Sequence, residues 1–192
     1  MEKKRFSIDL NSPFILWLTG LALAVLIIDL LTNGVMQATF AVRRTSFADP
    51  LQYIRIFSYV LVHAGPAHYV GNFMMILAIG PMVEEKYGSR RLCAATVVTT
   101  VITGLGSVIF FPHIAMVGAS GIVFMLILLA SFTNMRQGSL PITVLLVAVL
   151  YLGNEVLQGL FNPSNVSRVG HIVGGLCGAV FGILFHSRSA NR

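Results

Sequence analysis

Four side chains in this sequence could do chemistry where a hydrocarbon would be expected. Ser120 sits in Gly118-Ala119-Ser120-Gly121 at the head of an apolar run, and His171 opens another directly after Gly170. His68 and Asn72, four residues apart, open a third behind Gly65-Pro66. A hydroxyl within reach of an imidazole is a nucleophile with its general base. Any one of these residues alone reads as helix-packing polarity or a satisfied core histidine. Four at similar depth on one side of a bundle argue instead for a shared polar cavity.

The elements that must position them are membrane spans. Of 192 residues 56% are hydrophobic and 10% charged, with a mean hydropathy of +0.82, whereas soluble domains carry about a quarter charged residues. The net charge of +6 would suit nucleic acid in a soluble protein. Here the basic residues flank apolar runs, so membrane topology accounts for them and no nucleic-acid partner is expected. Cys93 and Cys177 lie inside apolar runs, where a thiol packs as a small hydrophobe, and no disulfide is expected.

Six apolar segments emerge, at 13–31, 66–83, 92–110, 118–132, 140–160 and 169–185, and residues 1–192 read as one membrane domain. The fold class is an all-α membrane protein, a six-transmembrane-helix bundle, because the runs lack the alternation of barrel strands. The first run is too long for a signal-peptide core and reads as a retained span. With the amino terminus inside, Lys3, Lys4, Arg5, Lys86, Arg90, Arg91, Arg136, Arg188 and Arg192 fall inside, and Arg43, Arg44, Arg55 and Arg168 outside. That bias makes both termini cytoplasmic. The connection from Thr32 to Gly65 is then external and lies partly in the interface.

The fourth span is short, about 22 Å against a hydrocarbon core of ~30 Å, so its outer end is recessed. Free N–H groups there need water or an oxyanion, and Ser120 lies in that first turn. The sixth span carries Gly170, Gly174, Gly178 and Gly182, a stripe that permits close helix contact. If the fourth span, with Gly118 and Gly121, packs on that stripe, Ser120 and His171 come within hydrogen-bond reach. Asp29 and Glu155, near the outer ends of their spans, are expected to be rim or interfacial carboxylates facing water.

The pattern resembles the rhomboid intramembrane serine proteases in their basic six-span form, over nearly the whole chain. Gly-x-Ser-Gly is matched by Gly118, Ser120 and Gly121, and His-x-x-Gly-x-x-x-Gly by His171, Gly174 and Gly178. His-x-x-x-x-His-x-x-x-Asn is matched by His63, His68 and Asn72, the turn Glu-x-x-x-Gly-Ser by Glu84, Gly88 and Ser89, and the loop arginine by Arg55. A metal reading of the histidines is poor, because positions five apart on a helix do not share a face.

The resemblance implies a Ser120–His171 dyad without a third carboxylate, and an oxyanion held by the backbone N–H of Ser120 with the side chains of His68 and Asn72. His63 would brace the loop and helix start. Phe124 stands where many relatives place a tyrosine under the catalytic imidazole, and Ile54 where a tryptophan often precedes the loop arginine. The implied activity is endoproteolysis of transmembrane protein substrates near the outer face of the lipid bilayer, without metal or cofactor. The alternative is an inactive client-binding relative, although such relatives usually lose the serine or the histidine. A transporter would be expected to show paired repeats, and none is found. With no soluble domain beside it, the pattern implies a bacterial-type inner (cell) membrane.

Overall fold

A computed structural model describes residues 11–133, 142–147, 149, 150, 153 and 166–190. The described residues are helical apart from short connections and an isolated antiparallel bridge between Val42 and Met116. The long helices are α1 (Pro13–Leu31), α4 (Pro66–Tyr87), α5 (Ser89–Phe110), α6 (Ser120–Ser131) and α8 (Val166–Ala190). Between α1 and α4 come α2 (Val35–Phe40), α3 (Pro50–Ser58) and a 3-10 turn at Tyr59–Leu61. A short α7 (Ile142–Val147) follows α6. Most of the fifth expected span, with Asn154, Glu155 and Gln158, falls outside the described residues, as do Lys3, Lys4, Arg5, Arg136 and Arg192.

Pro13–Leu31, Ser89–Phe110 and Arg168–His186 are long and apolar enough to cross a membrane, and Ser120–Ser131 is a shorter apolar helix. The last is the centre of the molecule. Met125, Leu126, Leu128 and Leu129 are all but inaccessible, because α4, α5 and α8 all pack around this one helix. A helix apolar on every face belongs where every face meets protein. α5 shows the opposite division. Thr96, Thr99, Thr100, Thr103 and Ser107 turn inward, while Val97, Val98, Ile102, Leu105 and Ile109 face out. Small hydroxyl side chains let neighbouring helices approach, and the outer aliphatic belt suits lipid.

α1 begins at Pro13, where a missing N–H is harmless. The next two donors are met from far away in sequence. Both oxygens of Glu84 accept from α1, from Phe14 N at 2.9 Å and Ile15 N at 3.0 Å, while the Ser89 hydroxyl donates to the same carboxylate at 2.7 Å. A negative group at a helix N-terminus meets both orphan donors and the positive end of the dipole. Gly80 admits the crossing of α1 over α4, since a Cβ there would stand 2.6 Å from Ile15 Cδ1.

The connection from α1 to α4 is equally ordered. Arg55 pairs with Asp49 at 3.0 Å and donates to the Thr39 carbonyl at 2.7 Å. Ile54, beside it, is 48% exposed and so offers its side chain to the surroundings rather than to the loop.

Two expectations need correction. Asp29 does not face water: it is 3% exposed and accepts from both the backbone N–H and the side-chain amide of Gln37, tying α2 to the end of α1. Cys93 is exposed rather than packed among side chains, because it falls on the outward face of α5. Both cysteines are free thiols.

Candidate active site

The fourth apolar segment was expected to be helical from Gly118, but α6 starts at Ser120. Gly118 has φ of +109°, a left-handed backbone that favours glycine and keeps the chain out of the helix until two residues later. Its N–H donates to the Tyr59 carbonyl at 3.0 Å, so the 3-10 turn holds the approach to Ser120. Ser120 therefore occupies the first helical position, where N–H groups have no intrahelical acceptor.

Two side chains of α4 close over that approach. A Cβ on Gly118 would stand 2.6 Å from His68 Cε1, 2.8 Å from His68 Nε2 and 3.4 Å from Asn72 Nδ2. His68 and Asn72, one turn apart, thus converge on Gly118 from one face of α4. The Ala64 N–H donates to His68 Nδ1 at 3.4 Å, which leaves the ring proton of a neutral His68 on Nε2, the nitrogen toward Gly118. Asn72 Nδ2 is buried with no hydrogen-bond partner among the described residues. Two donors of different chemistry are aimed at the strand entering Ser120.

α8 approaches α6 closely along its length. A Cβ on Gly174 would overlap the Gly121 carbonyl, one on Gly178 the Met125 carbonyl, and one on Gly182 the Phe132 ring. Gly121 in turn faces the Gly170 carbonyl, which would be 3.2 Å from its Cβ. The four glycines of α8 lie against successive turns of α6. Next to Gly170, the His171 ring stacks on Phe124 with centroids 4.4 Å apart and planes within 6°. Phe124 is four residues after Ser120, so imidazole and hydroxyl share one face of α6. Ser120, His68 and His171 are half-buried, open enough to meet a substrate.

His63 is 1% exposed, with Nδ1 3.3 Å from the Leu61 carbonyl and its ring among those of His68, Tyr69 and Phe73. Burial, and then the neighbouring His68 charge, pushes its pKa down to about 4, so at neutral pH it is an uncharged packing ring. Among the described residues no three His, Cys, Asp or Glu side chains group as a metal site.

The Rhomboid domain family model matches residues 50–188, which include every residue of this cluster. The chain belongs to the rhomboid family. It is 33% identical over 140 residues to Rhomboid-related protein 2 of Mus musculus, covering 67% of this chain and 46% of that protein. Rhomboid protease GluP of Bacillus subtilis is 27% identical over 155 residues, covering 78% of this chain and 29% of its own length. Rhomboid protease GlpG of Yersinia pestis is 25% identical over 172 residues, covering 86% and 60%. The chain thus spans less than two thirds of each of these relatives. Family membership and the apolar helices together make it an integral membrane protein.

In this rhomboid chain the resemblance pointed to residues whose local work it did not specify. Glu84 and Ser89 build the carboxylate cap of α1, a contact across 70 positions that no local pattern signals, and Gly88 turns the chain between them. Tyr59 went unnoticed altogether. Its carbonyl holds Gly118 and its hydroxyl donates to the Thr100 carbonyl at 3.2 Å, joining the external loop to α5. A tyrosine in an apolar stretch carries no sequence signal for either bond.

Proposed function

We propose that this rhomboid is an intramembrane serine endopeptidase with Ser120 as nucleophile and His171 as general base, acting on transmembrane segments of membrane proteins near their outer ends. The observation that carries this reading is the stacking of His171 on Phe124, one turn below Ser120 on the same face of α6. His171 takes the hydroxyl proton as Oγ bonds to the scissile carbonyl carbon, and the carbonyl oxygen becomes an oxyanion. The Ser120 N–H, Asn72 Nδ2 and His68 Nε2 stabilise that charge, an effect often worth ~3 kcal/mol per donor. The C–N bond then breaks, and His171 returns its proton to the leaving amine. Water, deprotonated by the same imidazole, hydrolyses the acyl-enzyme. Phe124 and the glycine stripe hold the ring in place. Gly118 leaves room for the donors.

The same reading places six spans in a bacterial-type inner membrane, with both termini cytoplasmic and Ser120 toward the outer face. The test is cleavage of a model transmembrane substrate by purified protein in liposomes. Wild type should cut once near the outer end of the substrate, and Ser120→Ala and His171→Ala should each abolish cutting. Cleavage surviving Ser120→Ala would end the proposal, and substrate capture without cleavage by wild type would replace it with client binding.

A further inference from the structure

Away from Ser120, a cavity of about 330 Å³ opens between α3 and the last turns of α5. At one end of it α3 lies tight against α5: a Cβ on Gly104 would stand 2.8 Å from the Ile56 carbonyl. Ile56, Leu105, Val108 and Ile109 make an aliphatic wall, and Leu105 and Ile109 are 41% and 61% exposed, so the cavity is open on its outer side. This size falls within the range of small-molecule pockets.

The polar groups around the cavity are unbalanced. The Tyr53 hydroxyl is engaged, donating to the Phe47 carbonyl at 2.9 Å. The Gln52 side-chain oxygen accepts from the backbone and hydroxyl of Thr45, whereas its amide nitrogen is buried without a partner among the described residues, in a residue 1% exposed. Arg44 stands at the edge with its guanidinium 5.6 Å from the Phe47 ring centroid. Asp49, the acid of this loop, is engaged by Arg55 and takes no part in the wall. What remains accessible is one cationic donor, Arg44, beside an aliphatic slot, with the Gln52 amide enclosed in the wall behind it. The complement is an amphiphile with an anionic, acceptor-rich head and an alkyl tail.

We propose that this cavity binds an anionic phospholipid of the surrounding bilayer, with one acyl chain along Ile56, Leu105, Val108 and Ile109 and its phosphate on Arg44. The membrane supplies the ligand at high local concentration, and α3 is held against α5 partly by what fills the gap. This site is independent of the Ser120–His171 chemistry, so either reading can fail alone.

The test uses the full chain in mild detergent, mixed with equal amounts of phosphatidylglycerol and phosphatidylcholine of matched acyl chains, with retained lipid read by native mass spectrometry. Phosphatidylglycerol should be retained about fivefold more, the worth of ~1 kcal/mol for one basic residue near an anionic group. Arg44→Gln should remove that preference, and Arg43→Gln should leave it in place. Ile109→Trp at the exposed rim should lower retention of both lipids, with Leu105→Trp as a second cavity-filling variant. Equal retention by wild type, preference surviving Arg44→Gln, or retention unchanged in both Trp variants would each overturn the proposal. Displacement of lipid by a transmembrane peptide whose binding alone depends on Arg44 would reassign the cavity to a protein segment.

Discussion

α8 and α1 are both held to the bundle, by opposite means. α8 meets α6 through glycines, backbone against backbone from Gly170 to Gly178 and against the Phe132 ring at Gly182. α1 is fastened at its first turn by one buried carboxylate that accepts two of its backbone donors. The first kind of joint sets a distance between two helices along their length, and a single methyl group changes it. The second sets the position of one helix end and carries energy, but does not fix spacing elsewhere. The proposed dyad lies on the joint that controls distance, which is where tolerance for error in catalysis is smallest.

The largest expected effect comes from the distance-setting joint. Gly174→Ala puts a methyl onto the Gly121 carbonyl, a backbone atom that no rotamer change can move aside. Cleavage should fall by about a hundredfold or more, the loss typical of a reacting group displaced by ~1 Å, while the protein still inserts. Full activity in a folded Gly174→Ala protein would separate the glycine stripe from catalysis.

Glu84→Ala should do the reverse. It strips the acceptor from two backbone donors and from the Ser89 hydroxyl, at about 1–3 kcal/mol each for groups left buried and unsatisfied, reduced where water reaches the frayed end. Thermal unfolding in detergent should shift down by several degrees, while the rate per folded molecule stays close to wild type. A Glu84→Ala enzyme with unchanged melting and lost activity would show that the cap, too, controls geometry.

Asn72→Ala probes the donors that converge on Gly118. With His68 still present, kcat should fall by about tenfold, the low end for loss of one such donor, and KM should change little. Measuring both constants decides it, because an unchanged kcat would leave Asn72 a packing residue.

The smallest effect expected concerns pH and stability. His63 is held neutral in the folded protein with its pKa down at about 4, against about 6.5 in the unfolded chain. Between those values only the unfolded chain takes up the proton, so this contribution is complete above pH 6.5 and is lost as pH falls toward 4. Melting temperatures at pH 7 and pH 4.5 should differ less for His63→Phe than for wild type. An identical drop in both would place the acid sensitivity elsewhere.

Much of this fold is legible in the amino-acid sequence. The first span is found at 13–31 as expected, because nineteen residues without a break have no alternative in lipid. The period-four glycines announced a close helix approach, since spacing on a helix maps directly onto one face. Gly-x-Ser-Gly and the two histidine motifs pointed to the family and to the cluster around Ser120 because their residues are short-range patterns. The rest depended on partners remote in the chain. Asp29 was read as water-facing from its place at a span end, yet Gln37 folds back and buries it. Neither Glu84 reaching Phe14 nor Tyr59 holding Gly118 leaves any periodic trace. The cavity beside Arg44 is walled by residues of α3 and α5 that lie some fifty positions apart in the chain and meet closely at Gly104. A sequence determines which residues tolerate lipid, which faces can approach closely and which groups are chemically able. Which carbonyl a glycine meets, which donors a carboxylate caps and where two helices part are decided by the packing of the whole bundle, because those contacts join segments whose separation in the chain carries no information about their distance in space.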